Sequence, residues 1–194
     1  MKKQFLLFLL AAISLGASAQ VAVTDTSTRI YLVRHAEKET DGSKDPALSK
    51  TGRERAGDLL RTLQDRNIQR IYVTQYQRTQ MTADSMRIQL GIDTVHYNGK
   101  DSTGEDLIRK ITQHNDWGKS ILVIGHSNTI LRIAQRLGAK IGDSPDIPDY
   151  EYDNLIFLKF KNGKAIMVRW KYGRFSKAPG EPKPVPMDNM KGGN

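Results

Sequence analysis

The sequence predicts an α/β fold, a three-layer sandwich in which a mostly parallel central sheet has helices on both faces and an antiparallel hairpin at one edge. Short apolar runs alternate along the chain with amphipathic helical patterns, and this alternation is typical of parallel sheets. Late in the chain, two apolar runs flank Asn162-Gly163. That dipeptide favours a hairpin, because both central residues of a type I′ turn need positive φ.

Each element has its own signal in the sequence. Apolar runs rich in β-forming residues predict strands over 29–33, 71–73, 94–97, 120–124, 155–158 and 165–168. Apolar residues at helical spacing predict helices over 51–65, 79–90 and 104–114, and a further helix carrying Ile130 to Leu137. Two capping boxes are expected at helix starts, Thr51 with Glu54 and Ser102 with Glu105.

The chain divides into four segments. Lys2 and Lys3, an apolar core and small residues at 17–19 predict a signal peptide over 1–19, cut after Ala19. A short extension follows over 20–28, and the α/β domain is expected over 29–175. The basic, proline-rich tail over 176–194 lacks apolar periodicity and is predicted to be disordered. The mature protein is therefore expected to be periplasmic or secreted.

Composition narrows the chemistry. The chain has no cysteine, which excludes disulfides, a thiolate nucleophile, a cysteine-based zinc site and a lipoprotein anchor. The formal net charge is +9, and the basic excess is concentrated after residue 161. Because no aromatic-basic signature accompanies this charge, we expect a solvated basic face, no specific nucleic-acid partner and no stable membrane anchor. The oligomeric state is not predicted.

Two histidines leave predicted strands at their carboxyl ends. Arg34-His35 follows the first strand, and Gly125-His126 follows the fourth. In open α/β sheets, ligands bind beyond the carboxyl ends of the strands. Both histidines are therefore expected on the ligand-binding rim of the sheet.

Two other kinds of site fit poorly. Gly125-His126-Ser127 is similar to a nucleophile elbow, but all four histidines precede Ser127, whereas a serine hydrolase of this type needs its histidine after the serine. No H-E-x-x-H pattern or carboxylate cluster indicates a metal site. The neighbouring arginine favours an anion, so neither a metal nor a cofactor is predicted.

Four short stretches follow one another along the chain, namely Leu32-Val-Arg-His-Ala-Glu37, Pro46 to Gly52, Tyr72 to Ala83 and Gly125 to Asn128. Together they resemble the histidine phosphatase superfamily, the phosphoglycerate-mutase-like family. They are similar in order to its Arg-His-Gly signature, its Leu-Ser-x-x-Gly segment, its Ser-x-x-x-Arg segment and its second histidine motif. One departure is Ala36, which stands where the family usually has glycine. The added methyl group could crowd the phosphate.

The resemblance implies His35 as the nucleophile and Arg34, Arg78 and His126 as ligands of the transferred phosphoryl group. Fixed positive donors suit this chemistry, because a phosphomonoester dianion spreads charge over three oxygens. Ser127 is a further phosphate-binding candidate, although it could instead cap the following helix. For the leaving-group proton, Asp101 is the first candidate and Glu105 the second, and both could instead be helix-capping residues.

These observations predict a metal-independent phosphatase that hydrolyses a small phosphomonoester through a phosphohistidine intermediate on His35. Two alternatives stay open. One is a phosphohistidine-protein phosphatase, which fits the small size but not the signal peptide. The other is a non-catalytic module that uses the same pocket to hold a phosphate-bearing ligand.

Overall fold

The computed structural model describes residues 26–178 and Gly180. The predicted signal peptide, most of the extension and most of the tail lie outside these residues, so export stays a prediction. The six strands are β1 (Thr28–Arg34), β2 (Arg70–Thr74), β3 (Thr94–Tyr97), β4 (Ser120–Gly125), β5 (Asn154–Lys161) and β6 (Lys164–Lys171). The helices are α1 (Lys50–Leu63), α2 (Gln77–Leu90), α3 (Glu105–Gln113) and α4 (Ile130–Arg136), with a short 3-10 turn at Gln64–Arg66.

The strands form one sheet in the order β3-β2-β4-β1-β5-β6. The first four in this order run parallel, whereas β5 is antiparallel to β1 and β6 is antiparallel to β5. Asn162 and Gly163 join β5 to β6 with positive φ values of 52° and 74°. The predicted hairpin is therefore confirmed, although its strands extend further than their apolar runs.

Helices cover both faces of the sheet. One apolar cluster packs α3 and α4 against the sheet, through residues such as Leu107 and Ile133. The second cluster packs α1 and α2 against the opposite face, through Leu59 and Met86. Every residue of β4 is buried, as expected for a central parallel strand. The predicted three-layer sandwich is confirmed.

Both predicted capping boxes are wrong. Helix α1 has its N-cap two residues earlier than the first box implies, and Ser49 caps it by accepting a hydrogen bond from the Gly52 amide at 3.1 Å. The N-cap of helix α3 is Gly104, which has no side chain to accept a hydrogen bond. Instead, the Asp101 carboxylate accepts from the backbone amide of Asp106 at 2.7 Å. A carboxylate from the loop before α3 thus accepts from an amide of the first turn, whereas the sequence pattern predicted a capping box of Ser102 with Glu105.

Gly52 allows α1 to approach the loop after β1. A Cβ atom at this position would lie 2.0 Å from the Glu37 carbonyl oxygen, which is far inside van der Waals contact. That same carbonyl accepts a hydrogen bond from the Ser49 amide at 2.9 Å. The glycine in the Leu-Ser-x-x-Gly segment therefore has a steric reason: it lets the helix start pack on the chain just after the first strand.

No helix in the described part of the chain is both long and apolar enough to cross a bilayer.

Candidate active site

The register of the two central strands brings the two histidines together. Arg34 of β1 lies opposite Gly125 of β4, and the His35 amide donates to the Gly125 carbonyl at 2.9 Å. Both strands end here, so His35 and His126 emerge side by side. Their ring centroids are 5.4 Å apart with an interplanar angle of 63°. Both residues are buried, with 4 % and 7 % of their surface exposed.

The His35 ring is held by its own backbone. Its Nδ1 atom lies 2.8 Å from the Ala36 carbonyl oxygen. Because a carbonyl oxygen can only accept, Nδ1 carries the proton and donates it. The neutral ring then has its lone pair on Nε2, the nitrogen that is free to attack an electrophile. A single main-chain contact thus selects the nucleophilic tautomer.

A chain of hydroxyl groups orients the His126 ring. Its Nε2 atom lies 3.1 Å from Thr74 Oγ1, which lies 2.9 Å from Thr79 Oγ1. The Thr79 hydroxyl donates to the Tyr76 carbonyl at 2.8 Å, so it accepts from Thr74. Thr74 Oγ1 in turn accepts from Nε2–H of His126. This order leaves Nδ1 of His126 as the unprotonated nitrogen of the neutral ring.

Both imidazoles are neutral at physiological pH. Burial, together with the charges of Arg34 and Arg78, lowers the pKa of His35 to about 3, although the bond to Ala36 opposes the shift. Burial and the same two guanidiniums lower the pKa of His126 to about 4. Removing the ring from water and placing cations beside it both penalise an added positive charge.

Arg78 lines the cavity from the start of α2. Its guanidinium lies over the Tyr76 ring, 4.3 Å from the centroid, and 3.4 Å from an Asp45 carboxylate oxygen. Tyr76 also meets the His126 ring edge-on at 5.3 Å. The aromatic ring therefore holds both the cation and the second imidazole in place. Nothing in the sequence pattern distinguished Tyr76 from an ordinary loop residue.

Arg34 is buried behind the histidines, where the loop before β5 holds it. Its Nη1 atom donates to the carbonyls of Pro148, Asp149 and Glu151 at 3.2, 2.8 and 3.2 Å. The guanidinium stacks on Tyr152 at 4.0 Å. Its Nε–H is buried without a partner in the described residues. The structure thus places Arg34 next to His35 in the chain but gives its outer nitrogens to main-chain carbonyls and to the Asp149 carboxylate.

A cavity of about 870 Å³ opens above the two imidazoles. Of the phosphate ligands predicted from the sequence, His35, Arg78, His126 and Ser127 line it, whereas Arg34 does not. The lining also contains Lys38, Tyr76, Lys100 and the segment 146–149, none of which the sequence pattern singled out. Gly99 also lines it, and a Cβ atom there would lie 3.0 Å from His126 Nε2. The loop after β3 can therefore pack against His126 only because that position has no side chain.

Neither carboxylate predicted to supply a proton lines this cavity. The Asp101 carboxylate accepts from the Thr103 amide and hydroxyl at 2.8 and 2.6 Å, as well as from the Asp106 amide. Burial raises the pKa of Asp101, but these hydrogen bonds outweigh it and the net pKa is lowered. Glu105 is exposed and lies 3.6 Å from Arg136. Asp146 and Asp149 are the acidic residues found in the lining.

Ser127 and Ala36 also differ from their expected surroundings. The Ser127 hydroxyl donates to the Asp149 carboxylate at 3.2 Å and lines the cavity, and α4 starts only at Ile130 without a side-chain cap. The Ala36 methyl group belongs to a small buried cluster with Leu48 and Ala56. It therefore fills the space under the site instead of crowding the cavity.

Comparison with known proteins matches part of the sequence to one family model. The model of the histidine phosphatase superfamily (branch 1) matches residues 30–99. No curated protein matches the sequence. Among solved structures, the protein histidine phosphatase SixA complexed with tungstate is 18 % identical, with a TM-score of 0.56 over 74 % of this chain and 96 % of that chain.

Two further structures give the same result. A SixA structure from Agrobacterium tumefaciens is 20 % identical, with a TM-score of 0.56 over 75 % of this chain and 97 % of that one. A mycobacterial glucosyl-3-phosphoglycerate phosphatase in complex with VO3 is 14 % identical, with a TM-score of 0.57 over 74 % and 98 % of the two chains. At these identities the likeness shows a common fold. The resemblance inferred from the sequence is confirmed.

Proposed function

Because the chain matches the histidine phosphatase superfamily in sequence and shares its fold, we propose that it hydrolyses small phosphomonoesters with His35 as covalent nucleophile. The observation that carries this proposal is the bond from His35 Nδ1 to the Ala36 carbonyl, which leaves Nε2 unprotonated next to His126. A binding module would gain nothing from a buried imidazole held in its nucleophilic tautomer.

In the first step, the Nε2 lone pair of His35 attacks phosphorus, and the bond from phosphorus to the ester oxygen breaks. The ester oxygen leaves with the bonding pair and takes a proton from a water molecule, and the hydroxide that remains is neutralised in the second step by one of the two protons of the attacking water. The phosphorylated ring keeps Nδ1–H and therefore carries a positive charge, which the Ala36 carbonyl stabilises as acceptor. Arg78 lines the same cavity and supplies donors for the phosphoryl oxygens, while His126 lies beside the reacting ring with its Nε2–H held by Thr74.

In the second step, a water oxygen attacks phosphorus and the P–N bond breaks. The bonding pair returns to Nε2, which restores the neutral ring, and the second proton of this water stays on the departing phosphate. Splitting one displacement into two easier ones is the general advantage of a covalent intermediate.

A phosphohistidine-protein phosphatase is the second candidate function. It is favoured by the structural likeness to SixA, which is itself a protein histidine phosphatase. The cavity volume of about 870 Å³ supports a substrate with a bulky group beyond the phosphoryl oxygen, which both candidates satisfy. We keep a small phosphomonoester as the proposed substrate. A phosphohistidine substrate should be assayed in parallel with the phosphomonoesters.

We expect the purified mature protein to turn over p-nitrophenyl phosphate, and to do so faster than an alkyl ester such as glycerol 3-phosphate. The reason is that the two predicted proton donors lie away from the cavity, so a better leaving group should matter. Activity should be unchanged by a chelator. Rapid quenching in alkali should trap phosphate on the protein, and acid should release it. No turnover of any panel member, with phosphate still bound, would favour the binding module.

The histidines should remain neutral far below their ordinary pKa. The folded protein is expected to bind fewer protons than the unfolded chain between about pH 3 and the unfolded value near 6.5. The free energy of unfolding should therefore fall as the pH is lowered through this window. NMR titration of the His35 and His126 ring protons in the ligand-free protein checks this, and midpoints near 6.5 would contradict it.

A further inference from the structure

The cavity is much larger than a phosphoryl group. Its volume of about 870 Å³ compares with about 30 Å³ for a water molecule in the liquid. The histidines and Arg78 occupy only part of its lining. The rest must therefore face whatever group carries the phosphate, and its charges bear on the choice of substrate.

Two lysines in this lining have no acidic partner. Asp146 lies 3.3 Å from Arg132, and Asp149 lies 3.5 Å from Arg34. Arg78 lies 3.4 Å from Asp45. Lys38 and Lys100 also line the cavity, yet neither forms an ion pair within residues 26–178. Both acidic residues of the lining, Asp146 and Asp149, therefore already have an arginine partner, and the ammonium groups of Lys38 and Lys100 have no ion pair.

These lysines flank the reacting centre. Lys38 follows β1, three residues beyond His35, and Lys100 follows β3. Strands β2 and β4, which lead to Arg78 and His126, lie between them in the sheet. With neighbouring strands about 4.8 Å apart, β1 and β3 are about 14 Å apart. An anionic group on either side of a bound phosphoryl group would therefore meet a free ammonium.

We propose that the preferred substrate is an organic phosphate that carries at least one further anionic group, a carboxylate or a second phosphate, which Lys38 or Lys100 binds. This inference rests on the proposed function and defines its substrate class. The negative charge of such a group complements the unpaired cations, whereas an uncharged organic part would leave both of them solvated.

Phosphonates test this directly, because their P–C bonds are not hydrolysed. Titration calorimetry would compare methylphosphonate with alkylene diphosphonates of one to three methylene groups. In wild type, at least one diphosphonate is expected to bind about 5-fold more tightly than methylphosphonate, beyond the twofold statistical factor. The double variant Lys38→Met/Lys100→Met should reduce this preference to about the statistical factor and leave methylphosphonate affinity within about threefold.

The control is Lys161→Met/Lys164→Met, which removes the same charge at the β5-β6 hairpin, the opposite end of the sheet. It should keep the wild-type preference. If Lys38→Met/Lys100→Met keeps it too, or if the control loses as much, the inference is overturned. Binding is measured without turnover, so an inactive wild type that still prefers diphosphonates would refute the phosphatase while leaving the anion-binding result intact.

Discussion

Replacing His35 by alanine is expected to lower kcat/KM for p-nitrophenyl phosphate by at least about 10⁴-fold, the scale seen when a covalent nucleophile is removed. No other side chain at this rim has the same arrangement. His126 uses its Nε2 for Thr74, whereas His35 gives Nδ1 to a carbonyl and keeps Nε2 free. The variant should also lose the acid-labile phosphoprotein that alkaline quenching traps in wild type.

Two measurements separate chemistry from folding in this variant. His96 is exposed on β3 and outside the cavity lining, so His96→Ala is a matched control that should keep wild-type activity. Circular dichroism and thermal unfolding should show that His35→Ala is folded. A variant that is folded, still active and still phosphorylated would show that another residue is the nucleophile.

Replacing Arg55 by methionine is expected to reduce the free energy of unfolding by about 3 kcal/mol, the low end for breaking a buried ion pair. Arg55 is buried on α1, and its Nε donates to both Glu37 carboxylate oxygens at 2.9 and 2.8 Å. Its Nη1 also donates to the Arg174 carbonyl at 2.9 Å. Without Arg55, the mostly buried Glu37 carboxylate loses its cation.

Thermal unfolding should show this as a decrease in Tm of about 6–12 °C for a domain of this size. The exposed pair of Arg87 and Asp84 provides the comparison, and Arg87→Met should change the free energy of unfolding by less than about 1 kcal/mol. Adding Glu37→Gln to Arg55→Met should recover part of the stability, because it removes the uncompensated charge. Equal losses in Arg55→Met and Arg87→Met would refute the buried-pair interpretation.

Much of the fold could be predicted because apolar periodicity reports local structure. In the run Ser120 to Ile124, apolar residues occupy successive positions, so they face both sides of the sheet. A strand that is buried on both faces requires this pattern, and β4 is buried throughout. Gly91 ends α2 with a φ of 62°, as a helix-terminating glycine should. The histidines could be placed on one rim because parallel strands end at the same edge of a sheet.

Helix capping was predicted less well, since it depends on which groups meet in the folded chain. Ser49, and not Thr51, immediately precedes α1 and caps it, and Asp101 reaches an amide of α3 from outside the helix. A short polar pattern cannot distinguish these arrangements, because several nearby side chains can satisfy the same backbone amide. Asp101 has the capping contacts that the sequence left open as the alternative to a proton donor.

The sequence by itself determined the α/β fold class, the hairpin, the family resemblance and the meeting of His35 with His126, because periodicity and strand order act through the backbone. Only the tertiary structure decided which nitrogen of each ring is free, how Arg34 is held by the loop before β5, and that Lys38 and Lys100 share the cavity. Those features depend on side-chain contacts between segments far apart in the chain, and no local pattern encodes their distances.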